Sequence, residues 1–274
     1  MDCPLCPDGM VNNDRQQTAW ELMRRYDVCL ERYPNQPAVT HVCRVQAETG
    51  YALFAGITDI LSFNPSTTAT ETTRNKRLSA QSVVTRLCEY GSKAAAPRPF
   101  ICMADTTRTG SSAGEREDFA TPYEFRARIF TTFGMGAVGA VMRHNDQGGR
   151  SESAAILNPT IAGVMAEIRA VRDLITIAAP LPGSVRVRGW EKLKPYLLWA
   201  GDKALVIFLV RQEEEATATD PETRVEIEVD IPAWTSVKRV LRVTPGELTP
   251  IPVESPSRFS VPLPEAGEIL VLEF

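Results

Sequence analysis

The chain has 274 residues, 43% of them apolar and 23% charged, with a formal charge of −4. That length can bury a substantial core, and the balance is that of an ordinary globular protein without a bilayer-spanning apolar run. Residues 1–180 hold 19 basic and 19 acidic side chains, and residues 181–274 hold 11 and 15, so neither part has the basic footprint of a nucleic-acid binder or a charge that favours an anionic membrane.

The opening MDCPLCPDGM has no basic region followed by an apolar stretch, so no signal peptide is expected in this chain and its localisation is left open. Cys3 and Cys6 form a C-x-x-C bracketed by prolines, which reads as an irregular surface turn. A structural zinc site needs a second pair of ligands, and His41 with Cys43 is poorly spaced for one. No metal and no cofactor are expected. Cys29, Cys43, Cys88 and Cys102 lie among apolar neighbours and read as small buried hydrophobes.

Residues 14–34 carry Trp20, Met23, Tyr26 and Leu30 at helical spacing, and the pattern stops at Tyr33-Pro34. QPAVTHVCRV then reads as a strand, and DILSFNP (residues 59–65) as a second strand closed by Asn-Pro. NKRLSAQSVVTRLCEYGSK is a helix with Gly91 as a C-cap, and RPFICMAD is a third strand. Thr121-Pro122-Tyr123-Glu124 opens the next helix with a capping residue, proline at the first helical position and a capping-box glutamate. Gly134 and Gly136 turn the chain into a fourth strand, GAVGAVMRH, and a long amphipathic helix is expected to run to Pro180. Strands joined through helices favour a parallel sheet whose strands are covered on both faces. Polar residues cluster after each strand.

From about residue 184 the rhythm changes to short, mostly alternating strands separated by turns such as Gly201-Asp202, Asp220-Pro221 and Pro245-Gly246. About seven strands and no helix fit, which predicts an antiparallel β-sandwich for residues 184–274, with the boundary at Leu181-Pro182-Gly183-Ser184. The acidic run Glu213 to Glu215 reads as a solvated hairpin loop. The fold class is thus α/β plus all-β, with residues 1–180 as the α/β part.

This order of parts resembles the C-terminal half of a glycoside hydrolase, a (β/α)8 barrel followed by a small β-sandwich. YDVCLERYPNQPAVTH, DILSFNP, RPFICMAD, TPYEFRARIFTTFGMGAVGAVMRH and the closing FSVPLPEAGEILVLEF carry the likeness. It implies a half barrel of four βα units, roughly strands five to eight. It also implies a carbohydrate substrate, and two carboxyl groups that act as acid/base and as nucleophile or base. The carboxylate that such enzymes carry after strand four would lie before Met1. At the end of strand seven the family has a glutamate, whereas this chain has Asp105. Four units do not close a barrel, so a homodimer or a separate N-terminal half-barrel is the implied partner, and the chain reads as a fragment or as a catalytically incomplete relative. The competing class is a non-catalytic carbohydrate-binding or structural protein.

Asp105 is the leading catalytic candidate, because a carboxylate follows an apolar strand there; a salt bridge to Arg108 is its plain structural alternative. Glu48 is a second carboxylate after a strand. His144, Asn145, Asn64 and Arg108 are the residues expected to contact sugar hydroxyls. Trp190 and Trp199 offer rings for sugar stacking, although alternating strands suggest a place in the sandwich core or at the domain interface for both. GMGAVG follows a helix and precedes a strand, the reverse of a dinucleotide-binding loop, and no P-loop or H-E-x-x-H is present.

Overall fold

A computed structural model describes residues 12–42, 54–63, 80–105, 120–143, 151–212, 220 and 222–274. Four parallel strands form the first sheet: β1 (Val39–Val42), β2 (Ile60–Phe63), β3 (Phe100–Asp105) and β4 (Gly139–Arg143), in the order β1-β2-β3-β4. Helices α1 (Asn12–Arg32), α2 (Ala80–Ala95), α3 (Pro122–Gly134), α4 (Ser151–Ala170) and α5 (Arg172–Ile175) accompany it. The expected alternation of strand and helix and the parallel pairing are both present.

Along β3 burial alternates. Phe100, Cys102 and Ala104 are buried with the helices, while Ile101 and Met103 are half-buried. Phe63 stacks on Phe100 with ring centroids 5.4 Å apart. Helix α2 approaches this pair through Gly91, where an added Cβ would stand 2.2 Å from the Phe63 ring. Gly91 is therefore inside the helix and is not its C-cap; it is glycine because an aromatic ring fills the place of a side chain.

Helix α3 begins with the anticipated capping box. The Glu124 N–H donates to Thr121 Oγ1 (3.1 Å) and the Thr121 N–H donates to Glu124 Oε2 (2.8 Å). Nearly every residue from Tyr123 to Gly134 is buried, so this helix is covered on all sides. It ends at Met135, and Gly136 takes φ +93° with Pro180 against it, which only glycine tolerates cheaply.

The remaining strands form two antiparallel sheets. The larger contains β5 (Ala179–Pro180), β7 (Leu193–Ala200), β8 (Ala204–Arg211), β10 (Arg239–Thr244), β11 (Glu247–Ile251) and β13 (Gly267–Glu273), in the order β11-β10-β13-β8-β7-β5. The smaller contains β6 (Val185–Arg188), β9 (Arg224–Val229) and β12 (Arg258–Pro262), in the order β12-β9-β6. Leu193, Leu197, Leu205, Ile207 and Leu209 of the larger sheet share one apolar cluster with Val225, Ile227, Phe259 and Val261 of the smaller. The other face of the larger sheet, through Tyr196, Leu198, Val206, Phe208 and Val210, joins α3 and the parallel sheet in a second cluster. Strand β8 is buried at all eight residues because apolar layers press on both faces.

Four local expectations are corrected. The last helical segment runs from Ser151 to Ala170, with a short turn at Arg172–Ile175; it does not reach Pro180, which pairs as strand β5 with Leu198. Strand β11 is additional to the expected set. It sits at a sheet edge, where a proline such as Pro250 is tolerated. Cys29 is exposed, on the outward side of α1, while Cys88 and Cys102 are buried; Cys3, Cys6 and Cys43 lie outside the described residues. Of the apolar set on α1, Trp20, Met23 and Leu30 are exposed, and Tyr26 is held by a 2.8 Å hydrogen bond from its hydroxyl to Asp59.

Candidate functional site

Because all four strands of the first sheet are parallel, they end on one edge, at Val42, Phe63, Asp105 and Arg143. Asp105 and Arg143 are register partners there. In α/β folds this is the edge at which ligands bind, since the connections that leave it are free of packing duty. Asp105 is the one candidate whose backbone is described. Glu48, Asn64, Arg108, His144 and Asn145 lie outside the described residues, as does the run Glu213 to Glu215. In sequence, Asn64 follows the last residue of β2 and His144 the last residue of β4.

Next to this edge, His41 and Ser62 are register partners on β1 and β2, and His41 Nδ1 lies 2.8 Å from Ser62 Oγ. The proton on that contact follows the histidine tautomer. Ser62 is only 3% exposed, so it orients the ring and is not placed to attack a substrate. The sequence alone offers His41 only as a poorly spaced metal ligand; its pairing with Ser62 depends on strand register, which a pattern of residue types does not specify.

The opposite edge is stitched shut. Asp59 accepts from the Ala38 N–H (2.8 Å) and from Tyr26, and both interactions hold its carboxyl below the usual range, the backbone one most strongly. Thr58 donates to the carbonyls of Ala38 and Ile60, and Arg98 donates to those of Ala55 and Thr58. Thus one edge is bound up by polar contacts and the other carries the candidate residues.

A second polar region was not anticipated. A cavity of about 470 Å³ lies between α3, α4, β10 and β13 and is lined by Arg126, Glu167, Arg242 and Glu268. Arg126 makes a two-point contact with Glu167, Nη1 to Oε1 at 3.1 Å and Nη2 to Oε2 at 2.7 Å. Its Nε donates to the Gly267 carbonyl at 2.9 Å, and its guanidinium lies 4.5 Å from the centre of the Phe130 ring. Arg242 pairs with Glu268. Burial raises both carboxyls, and the arginines pull them back down. Each carboxylate is locked to an arginine, so the cluster ties helices to sheet and does not present a free acid and base. The signal for Glu167 is present in the sequence: it lies on the buried stripe of α4, with Val164 and Ile168, where a lone charge needs a partner.

Among the described residues, no group of three or more His, Cys, Asp or Glu could hold a metal ion, and no helix is long and apolar enough to cross a membrane.

No family model and no curated protein matches the sequence. Among solved structures, the chain is similar to a glycoside hydrolase with a TM-score of 0.54 and 12% identity, over 92% of this chain and 68% of that one. It is also similar to a glycoside hydrolase family 5 structure from Bacteroides vulgatus, with a TM-score of 0.50 and 11% identity, over 94% of this chain and 68% of that one. A GH30 endoxylanase from Clostridium papyrosolvens gives a TM-score of 0.46 and 11% identity, over 94% and 61%. The chain spans about two thirds of the length of these structures or less. At such identities the likeness is one of fold: a mixed α/β chain, with a parallel four-stranded sheet and antiparallel sheets, that resembles glycoside hydrolase domains.

Proposed function

We propose that this is a glycoside-hydrolase-like protein that takes carbohydrate at the edge where its four parallel strands end. In this reading residues 1–180 are half of a (β/α)8 barrel, and residues 184–274 are an accessory β-sandwich. The two antiparallel sheets that share one apolar cluster support the second assignment. The observation that carries the functional reading is the convergence of the four strand ends, with Asp105 among them, in a chain of this fold.

Hydrolysis of a glycosidic bond needs two carboxyl groups, one to protonate the leaving oxygen and one to attack or to activate water. Asp105 is assigned the nucleophile or base role, with Glu48 as the second carboxyl of this chain. His144, Asn145, Asn64 and Arg108 are assigned to sugar hydroxyls. Four units leave β1 and β4 with described neighbours on one side only. A second copy or a further set of βα units is proposed to complete the ring.

The test is hydrolysis of a panel of aryl glycosides by the purified chain and by D105N. The expected result is turnover that falls about a thousandfold in D105N, a barrier change of about 4 kcal/mol. Unchanged turnover in D105N would remove Asp105 from the mechanism. A folded chain without turnover on any substrate would remove catalysis and leave carbohydrate binding as the activity.

A further inference from the structure

Trp199 lies on β7, and Trp234 on the connection between β9 and β10. Their ring centroids are 5.9 Å apart and their planes are inclined at 60°. Both are exposed, Trp199 at 36% and Trp234 at 65% of their surface. Burial of both rings against each other or in a core would be the ordinary outcome for such large apolar side chains, and here it is only partial. Trp190, the other ring singled out in the sequence, behaves differently: it packs against the core beside the Arg211 guanidinium.

The pair is held in place before any ligand arrives. Trp199 Nε1 donates to the Gly201 carbonyl at 2.5 Å, which fixes the indole plane. Trp234 sits inside a turn closed by two bonds to the Pro232 carbonyl, from the Thr235 N–H (3.0 Å) and from Thr235 Oγ1 (2.8 Å). Two exposed rings alone are too small a patch for a stable protein interface. They do suit a pyranose, which offers an apolar C–H face to a ring and hydroxyls to the groups around it. Two planes inclined to one another fit successive sugars of a twisted chain.

We infer that Trp199 and Trp234 form a glycan-stacking platform, separate from the strand-end edge. The separation follows from the fold. Trp199 pairs with Ala179, and the neighbouring Pro180 rests on Gly136, in the turn that precedes β4. The platform therefore lies toward the edge where the parallel strands start. The choice of a glycan as ligand rests on the carbohydrate reading above, but the binding does not depend on catalysis.

The experiment is affinity electrophoresis of the whole chain in gels containing soluble xylan, mixed-linkage β-glucan or soluble starch. The proteins are wild type, W234A, W199F and W20A, each checked for folding by thermal unfolding. At least one polysaccharide is expected to retard the wild type. W234A should lose about tenfold in apparent affinity. W199F, which keeps a ring at the core rim, should lose a smaller part. W20A, which removes an equally exposed ring elsewhere (68%), should behave as wild type. The inference is overturned if no polysaccharide retards the folded wild type, or if W234A and W199F are retarded as strongly as wild type. It is also overturned if W20A weakens binding as much as they do. D105N in the same gels should be retarded as wild type while W234A keeps its turnover of aryl glycosides, so failure of the platform and failure of the catalytic assignment give different results.

Discussion

Removal of Arg126 tests how the helical layer is held to the large sheet. Arg126→Ala deletes a two-point ion pair to Glu167, a donor to the Gly267 carbonyl and a cation over Phe130. Glu167 is only 4% exposed, so the variant strands a carboxylate in the cleft. Breaking a buried pair from one side costs about 3–5 kcal/mol. Protonation limits that cost, because Glu167 can take up a proton. Burial already raises this carboxyl in the wild type and Arg126 opposes the rise, so without the arginine it climbs further. Glu268, raised by burial and also held down by Arg126, moves the same way.

A carboxyl raised in the folded state binds more protons there than in the unfolded chain. Its favourable contribution is complete below the unfolded value of about 4.3 and is lost as pH rises through the folded value. The loss extends to higher pH in Arg126→Ala than in the wild type. The variant should thus be destabilised by about 3 kcal/mol at pH 7.5 and by clearly less, by about 1 kcal/mol or more, at pH 5. Urea unfolding followed by tryptophan fluorescence measures both. Arg126→Ala combined with Glu167→Gln should be more stable than Arg126→Ala alone at pH 7.5, because no charge is stranded. A loss below about 1 kcal/mol at pH 7.5, or a loss independent of pH, would refute the reasoning.

Gly91→Ala normally favours a helix interior, by about 1 kcal/mol. Here the new methyl would meet the buried Phe63 ring at 2.2 Å, so the expected result is a loss of about 2–3 kcal/mol in thermal unfolding, and any gain would contradict the packing of α2 on β2. Thr121→Ala removes the acceptor for the Glu124 N–H and should cost about 1 kcal/mol, while Thr121→Ser should cost little; equal losses would show that the capping hydroxyl is not what matters.

The parts of this fold that could be read in the sequence are those written in local chemistry. The capping box at Thr121–Glu124 is one, since the residue types and the spacing carry the whole signal. The strands Phe100–Asp105 and Ala204–Arg211 are others, because long apolar runs bounded by turns leave few alternatives. What could not be read depends on partners far away in the chain. Gly91 looks like a helix terminator until Phe63 is placed against it. Strand β5 is two residues long and contains a proline, so it exists only because β7 lies beside it. The cleft pairs Arg126 with Glu167 across 41 residues, and no local pattern announces the match. For the site, the sequence supplied Asp105 at the end of a strand, and the parallel pairing supplied the reason that strand ends share one edge. The pairing of His41 with Ser62 came from register alone.

The position of α3 bears on how the site would be kept in order. This helix is buried on every side, with the parallel sheet against part of it and β7, β8 and β13 of the large antiparallel sheet against the rest. Phe130 meets Phe208 edge-on at 5.7 Å between ring centres, so a residue of the antiparallel sheet packs directly on the helix that leads into β4. The turn after α3 is pinned by Pro180 of β5. Strand β4 is consequently set at its start by elements of the antiparallel region, while its end, at Arg143, reaches the candidate edge. A cavity made in that region, such as Phe208→Ala, reduces the support of α3 without touching the edge itself. The antiparallel region is therefore part of the machinery that positions the edge, and separating it at residues 181–184 would expose the apolar face of α3 that Phe208 and Tyr196 now cover.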